Sequence, residues 1–456
     1  MRRVVKVSRI RIIITIIVVV LTTLLTGCTG KEPNEIAYVV ALGIDSTDDD
    51  NYKITIQYAN TTQISGGASE SGGKAGSEIV DNVTIEAPNI YAGVSLANNI
   101  VSKSFSMSHA KLIVFSKEIA EKGVKDMIET LVRSEEIRPD VFIAVANTTA
   151  NDYLTSVNPE MEVNPAQYYQ LIYQKNQLVG IPDGQLREFF TGLYTDNYDS
   201  ILPVAGVIEG SGGNSQNDDK GQSKDGQNEG SEGSSESLDS FESKSSNEKD
   251  ENEKEKDAEK NTSKYEYDIK NYIGGETTIE KKNKAEAIGA AVFEKDKMVG
   301  ELGEVETEIC KMLKGDYTYS YLTYYNNDTP DIPITVKTTQ QKKPKYKIDT
   351  DKKTVDIELY IESDLYSLPA DYNVENKIED FERDVANYTS SACTEFINNF
   401  TKKYNSDILK LNEKVKYKFL TNNQYNWFKK NVGWSEYKFS VCTNFKVRRT
   451  GLIVRE

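Results

Sequence analysis

The chain has 456 residues and a formal net charge of −16, from 55 basic and 71 acidic side chains. Binding to nucleic acid by counterion release needs a basic surface, so this charge argues against DNA or RNA as a partner. His109 is the single histidine of the sequence. A His-rich zinc site is therefore excluded, and a Ser-His-Asp triad is disfavoured.

Residues 1–27 have the composition of an export signal. Five cations and no acidic residue lie within residues 1–11, and an apolar run interrupted only by threonines follows at residues 12–25. This run is too short to cross a hydrocarbon core of about 30 Å and is typical of the apolar region of a signal peptide. No later stretch reaches the roughly 18 apolar residues that would predict a membrane-spanning helix.

The apolar run is followed by Thr26, Gly27 and Cys28, which resemble the lipobox of bacterial lipoproteins. Small residues before the cysteine let a peptidase approach, and the thiol is the group that accepts the lipid. We therefore expect cleavage between Gly27 and Cys28, with a diacylglycerol and an N-acyl (palmitate-type) chain on Cys28. Such a lipid anchors a protein stably to the extracytoplasmic face of a membrane. The alternative is an uncleaved anchor helix with a chance cysteine.

Residues 28–208 predict an N-terminal α/β domain, because strand-like and helix-like patterns alternate. Two strands at 36–45 and 52–58 flank an acidic turn, in which Asp45 and its neighbours lack the spacing of a calcium loop and are expected to be solvated. No Gly-rich nucleotide-binding fingerprint occurs in this part. The elements expected next are a Gly/Ser-rich loop at 65–77, a strand at 82–86, a helix at 89–101, a strand at 111–115, a helix at 119–133, a strand at 141–146, an N-cap at Asn151 and a helix at 165–177.

The composition changes at residue 209. Residues 209–260 contain 16 acidic and 7 basic side chains and only three apolar ones. Such a segment cannot bury enough apolar area to offset its chain entropy, so we predict that residues 209–263 are a disordered, acidic, Gly/Ser-rich segment. It is either a linker between two domains or an insertion.

Residues 264–456 predict a C-terminal α+β domain. The whole chain is therefore expected to combine α/β and α+β classes in several domains, with mixed β-sheets packed by helices. The most regular element is a long amphipathic helix at 374–400, whose apolar side chains recur every three or four residues. The other expected elements are a hairpin at 288–293 and 297–302, a helix at 304–313 that ends at Gly315, strands at 317–325, 332–338 and 355–361, and a final strand at 438–447.

Three cysteines remain besides Cys28, namely Cys310, Cys393 and Cys442. They allow one disulfide in any of three pairings, which an extracytoplasmic location permits. We expect all three to be structural.

A few other residues are candidates for function. His109 is expected to be a hydrogen-bonded structural residue. Arg133, Glu136 and Arg138 form a dense charge cluster between a helix and a strand, which either fixes the turn by ion pairing or forms a partner-binding edge. The aromatic residues Tyr425, Trp427, Phe428 and Trp434 are either a ligand platform or core. No set of metal ligands or catalytic nucleophile emerges, so the sequence predicts neither an enzyme nor a cofactor apart from the lipid on Cys28.

Several of these features occur together in one order along the chain, and this order resembles the Ger(x)C family. These proteins are spore-germination lipoproteins, the C subunits of nutrient germinant receptors. Two departures stand out: residues 31–36 keep only part of the family's Trp-Asp-Arg-Arg-Glu-Leu-like run, and the acidic segment is long. The resemblance rests on the lipobox, residues 38–45, Ser-His-Ala-Lys-Leu-Ile-Val at 108–114, Arg133 with Glu-Ile-Arg at 136–138, residues 289–302, Ser-Asp-Ile-Leu at 406–409, and the final strand leading to Gly451.

The resemblance implies a non-enzymatic receptor subunit in the inner membrane of a spore. It would work beside two integral-membrane subunits, of A-type and B-type, in nutrient-triggered germination. The family offers no defined germinant-binding residues, so Cys28 is the one site residue carried over.

Two functions from other classes compete with this interpretation. An extracytoplasmic solute-binding lipoprotein of a transporter predicts two α/β lobes with a ligand cleft. A cell-wall hydrolase predicts two carboxylates that face each other across a cleft.

Overall fold

The computed structural model describes residues 13–17, 35–49, 51–59, 80–159, 162, 164–174, 180–195, 197–208, 271–277, 283–325, 333–367 and 374–450. Cys28, the Gly/Ser-rich loop at 65–77 and the acidic segment at 209–260 lie outside these residues. Within the described residues, no helix is both long enough and apolar enough to span a bilayer.

Within the described residues, the first sheet has nine strands, in the spatial order β3-β2-β1-β5-β6-β7-β8-β9, with β4 beside the start of β1. β1, β5, β6 and β7 are parallel to one another, and antiparallel hairpins flank them on both sides. The strands are β1 (Ile36–Ser46), β2 (Tyr52–Ala59), β3 (Val80–Ala87), β4 (Ser104–Ser106), β5 (Leu112–Ser116), β6 (Phe142–Ala146), β7 (Ile201–Val207), β8 (Ala285–Glu294) and β9 (Lys297–Leu302).

Helices cover both faces of this sheet. Ile113 and Phe115 of β5 pack with one group of helices, and Leu112 and Val114 pack with the other. This two-sided burial explains why the parallel strands read as continuous apolar runs. The first group is α1 (Ile90–Ala97), α2 (Lys117–Lys122), α3 (Lys125–Val132) and α6 (Leu186–Thr195); the second is α4 (Ala150–Ser156) and α5 (Pro165–Tyr173).

The second sheet has five strands and lies in the later part of the chain. β10, β11, β13 and β12 follow one another with antiparallel pairing, and β14 pairs with β13 in parallel. The elements are α7 (Glu304–Lys314), β10 (Tyr319–Tyr325), β11 (Pro333–Gln340), β12 (Lys345–Asp349), β13 (Thr354–Ser367), α8 (Val374–Lys403), α9 (Leu411–Val415), α10 (Asn422–Asn431) and β14 (Lys438–Arg449).

β8 belongs to both cores. Its side chains alternate, so that Ala291 and Phe293 lie in the first core while Ala290 and Val292 pack against α7 and α8 in the second. The β8–β9 hairpin therefore completes the first sheet, although it follows the acidic segment in sequence. The backbone N–H of Ile208 donates to Lys284 O at 2.9 Å, so the chain between these residues connects two adjacent strands of one sheet. The described residues before and after this connection form one compact unit.

Most of the expected elements are present. The hairpins at both ends of the first sheet are confirmed, and so is the long helix α8. α7 ends at Gly315, whose φ of +83° is in the left-handed region that favours glycine and lets its N–H donate back to Lys311 O.

Two predictions in the first half were wrong in detail. The single helix expected at 119–133 is divided into α2 and α3, because Gly123 has a φ of +123° and Val124 N donates to Asp296 O in the β8–β9 turn. The N-cap of α4 is Thr149, whose Oγ1 accepts from Asp152 N at 2.9 Å. Asn151 lies inside the helix and donates to Thr55 Oγ1 at 2.9 Å.

α8 lies along the outer edge of β14 and provides hydrogen-bond acceptors to its backbone. Four helix residues within one stripe accept from N–H groups of alternate strand residues. Four helical residues rise about 6 Å and two strand residues about 6.6 Å, so the two spacings match. The pairs are Asn398 with Phe439 (3.1 Å), Thr394 with Val441 (3.0 Å), Ser390 with Thr443 (2.9 Å) and Glu382 with Val447 (2.9 Å).

We expect Asn398→Ala to lower the free energy of unfolding by about 2–4 kcal/mol, because the variant leaves two backbone groups of Phe439 without partners. Asn398 donates to Phe439 O at 3.0 Å as well as accepting from its N–H. The matched control is Asn399→Ala, which makes the same change at the next, exposed helix position. Chemical denaturation measures both. Equal effects of the two variants would contradict the role given to the α8–β14 hydrogen bonds.

Candidate functional site

The parallel strands β1, β5, β6 and β7 all begin at one edge of the first sheet, which we call the start edge. The loops that precede these strands, at 107–111, 133–141 and 197–200, therefore lie along it. The β8–β9 turn joins them, because Phe293 N donates to Ser200 O at 3.1 Å. Ile36, where the described chain enters the sheet, lies at the same edge beside Ser104.

His109 lies at the start edge close to the entry of the chain. Its ring meets the Tyr38 ring edge-on, with centroids 4.8 Å apart, and its Nδ1 is 3.0 Å from Ser108 Oγ. The backbone N–H of Met107 donates to Glu136 Oε2 at 2.6 Å. The loop before β5 is thus tied to the loop before β6.

The three charged residues predicted as a cluster do not pair with one another. Arg133 pairs with Glu129 within α3 at 2.9 Å, and Arg138 pairs with Asp140 at 3.1 Å. Glu136 is the residue that binds the Met107 backbone. All three lie at the start edge and are exposed, and the side chains of Arg133 and Arg138 are 75% and 60% exposed.

The acidic turn after β1 was expected to be solvated, but Asp45 is buried. Asp45 is 4% exposed and accepts from the backbone N–H groups of Ala150 (2.6 Å) and Asn151 (3.0 Å) at the start of α4. Burial raises the pKa of Asp45. Its carboxylate caps a helix, which the sequence-based view of a solvated turn missed. No cluster of three or more potential metal ligands occurs within the described residues.

Two aspartates, the buried Asp407 and the half-buried Asp199, join the halves of the protein at the start edge. The backbone N–H of Asp199 donates to Asp407 O at 3.1 Å, and the N–H of Asp407 donates to Asp199 Oδ2 at 2.8 Å. The other carboxylate oxygen of Asp199 accepts from Lys295 N at 2.9 Å. The Asp407 carboxylate accepts from Leu411 N and Asn412 N, both at 2.8 Å, and so caps α9. We call this set the aspartate junction.

Further contacts surround the aspartate junction. Ser406 Oγ donates to Phe293 O at 2.9 Å, at the end of β8. Lys410 forms an ion pair with Glu188 of α6, and its Nζ lies 4.1 Å from the centre of the Tyr198 ring. Burial raises the pKa of Asp407 to about 7 and also raises the pKa of Asp199. Both carboxyl groups therefore have hydrogen-bond partners but are costly to ionise.

A cleft of about 610 Å³ opens beside the aspartate junction, between the β8–β9 turn and the α9–α10 region. Its lining is mostly charged and amide side chains. The carboxylates of Asp199 and Asp407 accept hydrogen bonds from backbone N–H groups of the protein itself, whereas Lys430 is exposed. The other lining residues are Gly192, Tyr198, Glu294, Lys295, Asn405, Asn412, Asn426, Lys429, Val432, Gly433 and Trp434.

The aromatic residues at 425–434, for which the sequence left open a ligand platform or a place in the core, are partly buried in the core and partly exposed. Tyr425, Phe428 and Trp434 are buried and belong to the second core, whereas Trp427 is 64% exposed. The half-buried Phe419 packs against this group, with its ring centroid 5.0 Å from that of Phe428.

The three described cysteines are free thiols. Cys310 and Cys393 are buried, and burial raises their pKa values to about 11 and about 12. Cys442 is exposed on β14.

We expect the aspartate junction to make stability depend on pH in a specific direction. A carboxyl group whose pKa is raised by folding stabilises the native state most below its unfolded pKa of about 4 and loses that contribution as the pH rises through about 7. We compare the free energies of unfolding of the wild type and of Asp407→Asn. The wild-type value minus the variant value should therefore fall by about 2–4 kcal/mol between pH 4 and pH 8. Denaturation at both pH values measures the difference.

The control for this prediction is Asp380→Asn, at an exposed position of α8. It separates the effect of burial from the loss of one charge. A difference between wild type and Asp407→Asn that is constant from pH 4 to pH 8, or that grows with pH, would contradict the assignment.

Comparisons with known proteins match both halves of the chain. Residues 30–207 match the family described as "Spore germination protein N-terminal domain", and residues 288–451 match "Spore germination B3/ GerAC like, C-terminal". The second match begins inside β8, so both families contribute strands to the first sheet.

Individual relatives are more distant. Spore germination protein KC of Bacillus subtilis (strain 168) is 26% identical over 174 residues, which cover 35% of this chain and 42% of that protein. Putative spore germination protein YfkR of the same organism is 28% identical over 145 residues, 32% of this chain and 37% of that protein. The matched stretches thus span less than half of either relative.

A solved structure, "Crystal Structure of the GerBC protein", aligns over 89% of this chain and 96% of that chain, with 15% identity and a TM-score of 0.47. The family matches on both sides of the acidic segment agree with the motifs at 108–114, 289–302 and 406–409. This chain belongs to the Ger(x)C family of spore germination proteins.

Proposed function

We propose that this protein is the lipid-anchored C subunit of a nutrient germinant receptor. It acts at the extracytoplasmic face of the inner spore membrane, in association with integral-membrane A-type and B-type subunits. The observation that carries the proposal is the family match along both halves of the chain. The lipobox at Thr26, Gly27 and Cys28 supports the anchor.

The position of the start edge supports a membrane-facing role for it. Ile36 follows Cys28 by eight positions, and an extended chain of eight steps spans at most about 28 Å. A lipid on Cys28 would therefore hold the start edge, with its loops and the aspartate junction, within reach of membrane-embedded partners. Arg133 and Arg138 are exposed charges on that edge.

The solute-binding alternative receives less support. It predicts two α/β lobes, whereas the second sheet is antiparallel apart from the β13–β14 pair. The aspartate junction also joins the halves directly through hydrogen bonds, whereas a solute-binding protein needs a hinge between its lobes.

We expect the mature protein to begin with a lipidated Cys28. Mass spectrometry of the N-terminal peptide should find the diacylglyceryl adduct, and Cys28→Ala should lose stable membrane attachment because it removes the acyl chains that anchor the protein. An intact Met1 or an unmodified Cys28 in membrane-bound protein would refute the anchor.

We expect Arg133→Glu combined with Arg138→Glu to weaken co-purification with the polytopic subunits by about tenfold or more, since mismatched charge across an interface is costly. Glu136 is left unchanged because it binds the Met107 backbone. The control is Arg383→Glu on α8, since Arg383 is also in an exposed ion pair, with 63% of its side chain accessible. Both variants must first show the circular dichroism of the wild type. Normal co-purification and normal nutrient germination of the double variant would assign the two arginines a structural role only.

A further inference from the structure

Three exposed apolar side chains lie close together in sequence near the start edge. Tyr417 is 92% exposed, Leu420 is 93% exposed and Trp427 is 64% exposed. They occupy the turn at Lys416–Lys418, the connection after it, and α10. Large apolar side chains at this level of exposure indicate a contact surface when they are grouped.

Buried contacts hold these segments together. Phe419, between Tyr417 and Leu420, packs on the inner face of α10, with its ring centroid 5.9 Å from Tyr425 and 5.0 Å from Phe428. Trp427 lies on the opposite, exposed face of the same helix. We define the Trp427 patch as Tyr417, Leu420 and Trp427, together with the exposed lysines Lys416 and Lys430.

The segment that carries the patch has a net charge opposite to that of the whole chain. Residues 402–431 contain eight lysines and two acidic residues, in a chain whose net charge is −16. One of the two acids, Asp407, is buried in the aspartate junction. Lys430 lies three residues after Trp427, so the two side chains share a face of α10.

The patch lies on the side of the molecule that carries the start edge. Tyr425 of α10 donates through its hydroxyl to Asn197 Oδ1 at 3.0 Å, and Lys429 Nζ donates to the same atom at 3.3 Å. Residue 197 precedes β7 at the start edge. Under the proposed anchoring at Cys28, Ile36 at this edge is held within about 28 Å of the lipid.

We propose that the Trp427 patch docks on an anionic bilayer surface and thereby orients the anchored protein, an inference that rests on the proposed lipid anchor. Tryptophan and tyrosine are enriched where a protein meets the headgroup layer, and exposed lysines beside them are attracted to anionic lipid. A protein partner explains the aromatic side chains equally well but not the lysines, which are depleted in the cores of protein interfaces.

The experiment uses the intact lipidated chain reconstituted in vesicles, with Trp427 as the probe. Trp427 and Trp434 are the two tryptophans of the chain, and Trp434 is buried. Brominated lipids quench tryptophan that enters the headgroup–acyl boundary. In vesicles with about one-third phosphatidylglycerol, we expect emission to fall about twofold relative to unbrominated vesicles, and less in pure phosphatidylcholine.

Three variants complete the experiment. Trp427→Phe should abolish the quenching, since the remaining Trp434 is buried. Lys430→Glu should reduce it by about half or more, whereas Lys53→Glu, with the same charge change on an exposed residue of β2, should leave it unchanged. Unquenched Trp427 in both kinds of vesicle would overturn the proposal. Flotation with the vesicles reports the Cys28 anchor separately, so a chain that fails to float refutes the proposed anchor and not the patch.

Discussion

The arrangement of the two halves depends on the aspartate junction. Asp199 precedes the last parallel strand of the first sheet, and Asp407 follows the long helix of the second half. Each donates its backbone N–H to the other residue, and each uses its carboxylate to organise a neighbouring turn. Because Asp407 is buried and Asp199 is half-buried, removing a partner leaves a costly unsatisfied group. The cleft and the position of α10 follow from this junction.

β8 provides the apolar counterpart of that polar junction. It pairs with β7 through backbone hydrogen bonds and sends alternate side chains into two different cores. The second half therefore cannot leave the first without exposing Ala290 and Val292. At the far side of the second core, α8 protects the edge of β14 with side-chain acceptors, a means of blocking an otherwise open sheet edge.

The sequence predicted those elements whose residues carry a local pattern. The apolar runs of β1 and β5, the stripe of α8 and the end of α7 at Gly315 are examples, since each needs only neighbouring residues. β4, β7, β12 and the helices α6, α9 and α10 were missed. β4, β12 and α9 have only three to five residues, which is too short for a clear pattern. The division at Gly123 was missed because it depends on a contact with Asp296, which is distant in sequence.

The candidate site was harder to predict for a related reason. Asp199 and Asp407 are two of 71 acidic residues, and nothing local distinguishes them. Only Ser-Asp-Ile-Leu at 406–409 drew attention to one of them, as part of a family resemblance. For Arg133, Glu136 and Arg138 the sequence left open either ion pairing within the turn or a partner-binding edge. The three do not pair with one another, because their partners are Glu129, the Met107 backbone and Asp140, respectively.

The chain entry, the exposed arginines, the aspartate junction and the helix that carries Trp427 all lie at the start edge. For these features to keep one arrangement, the two halves must unfold as one cooperative unit. Native-state hydrogen exchange of the amides of Lys295 and Asp407, both donors to Asp199, tests that requirement most directly. The account predicts that these amides exchange only through global unfolding, with the same opening free energy as the central strand β5. Exchange at an opening free energy lower by about 3 kcal/mol or more, while β5 stays protected, would contradict it.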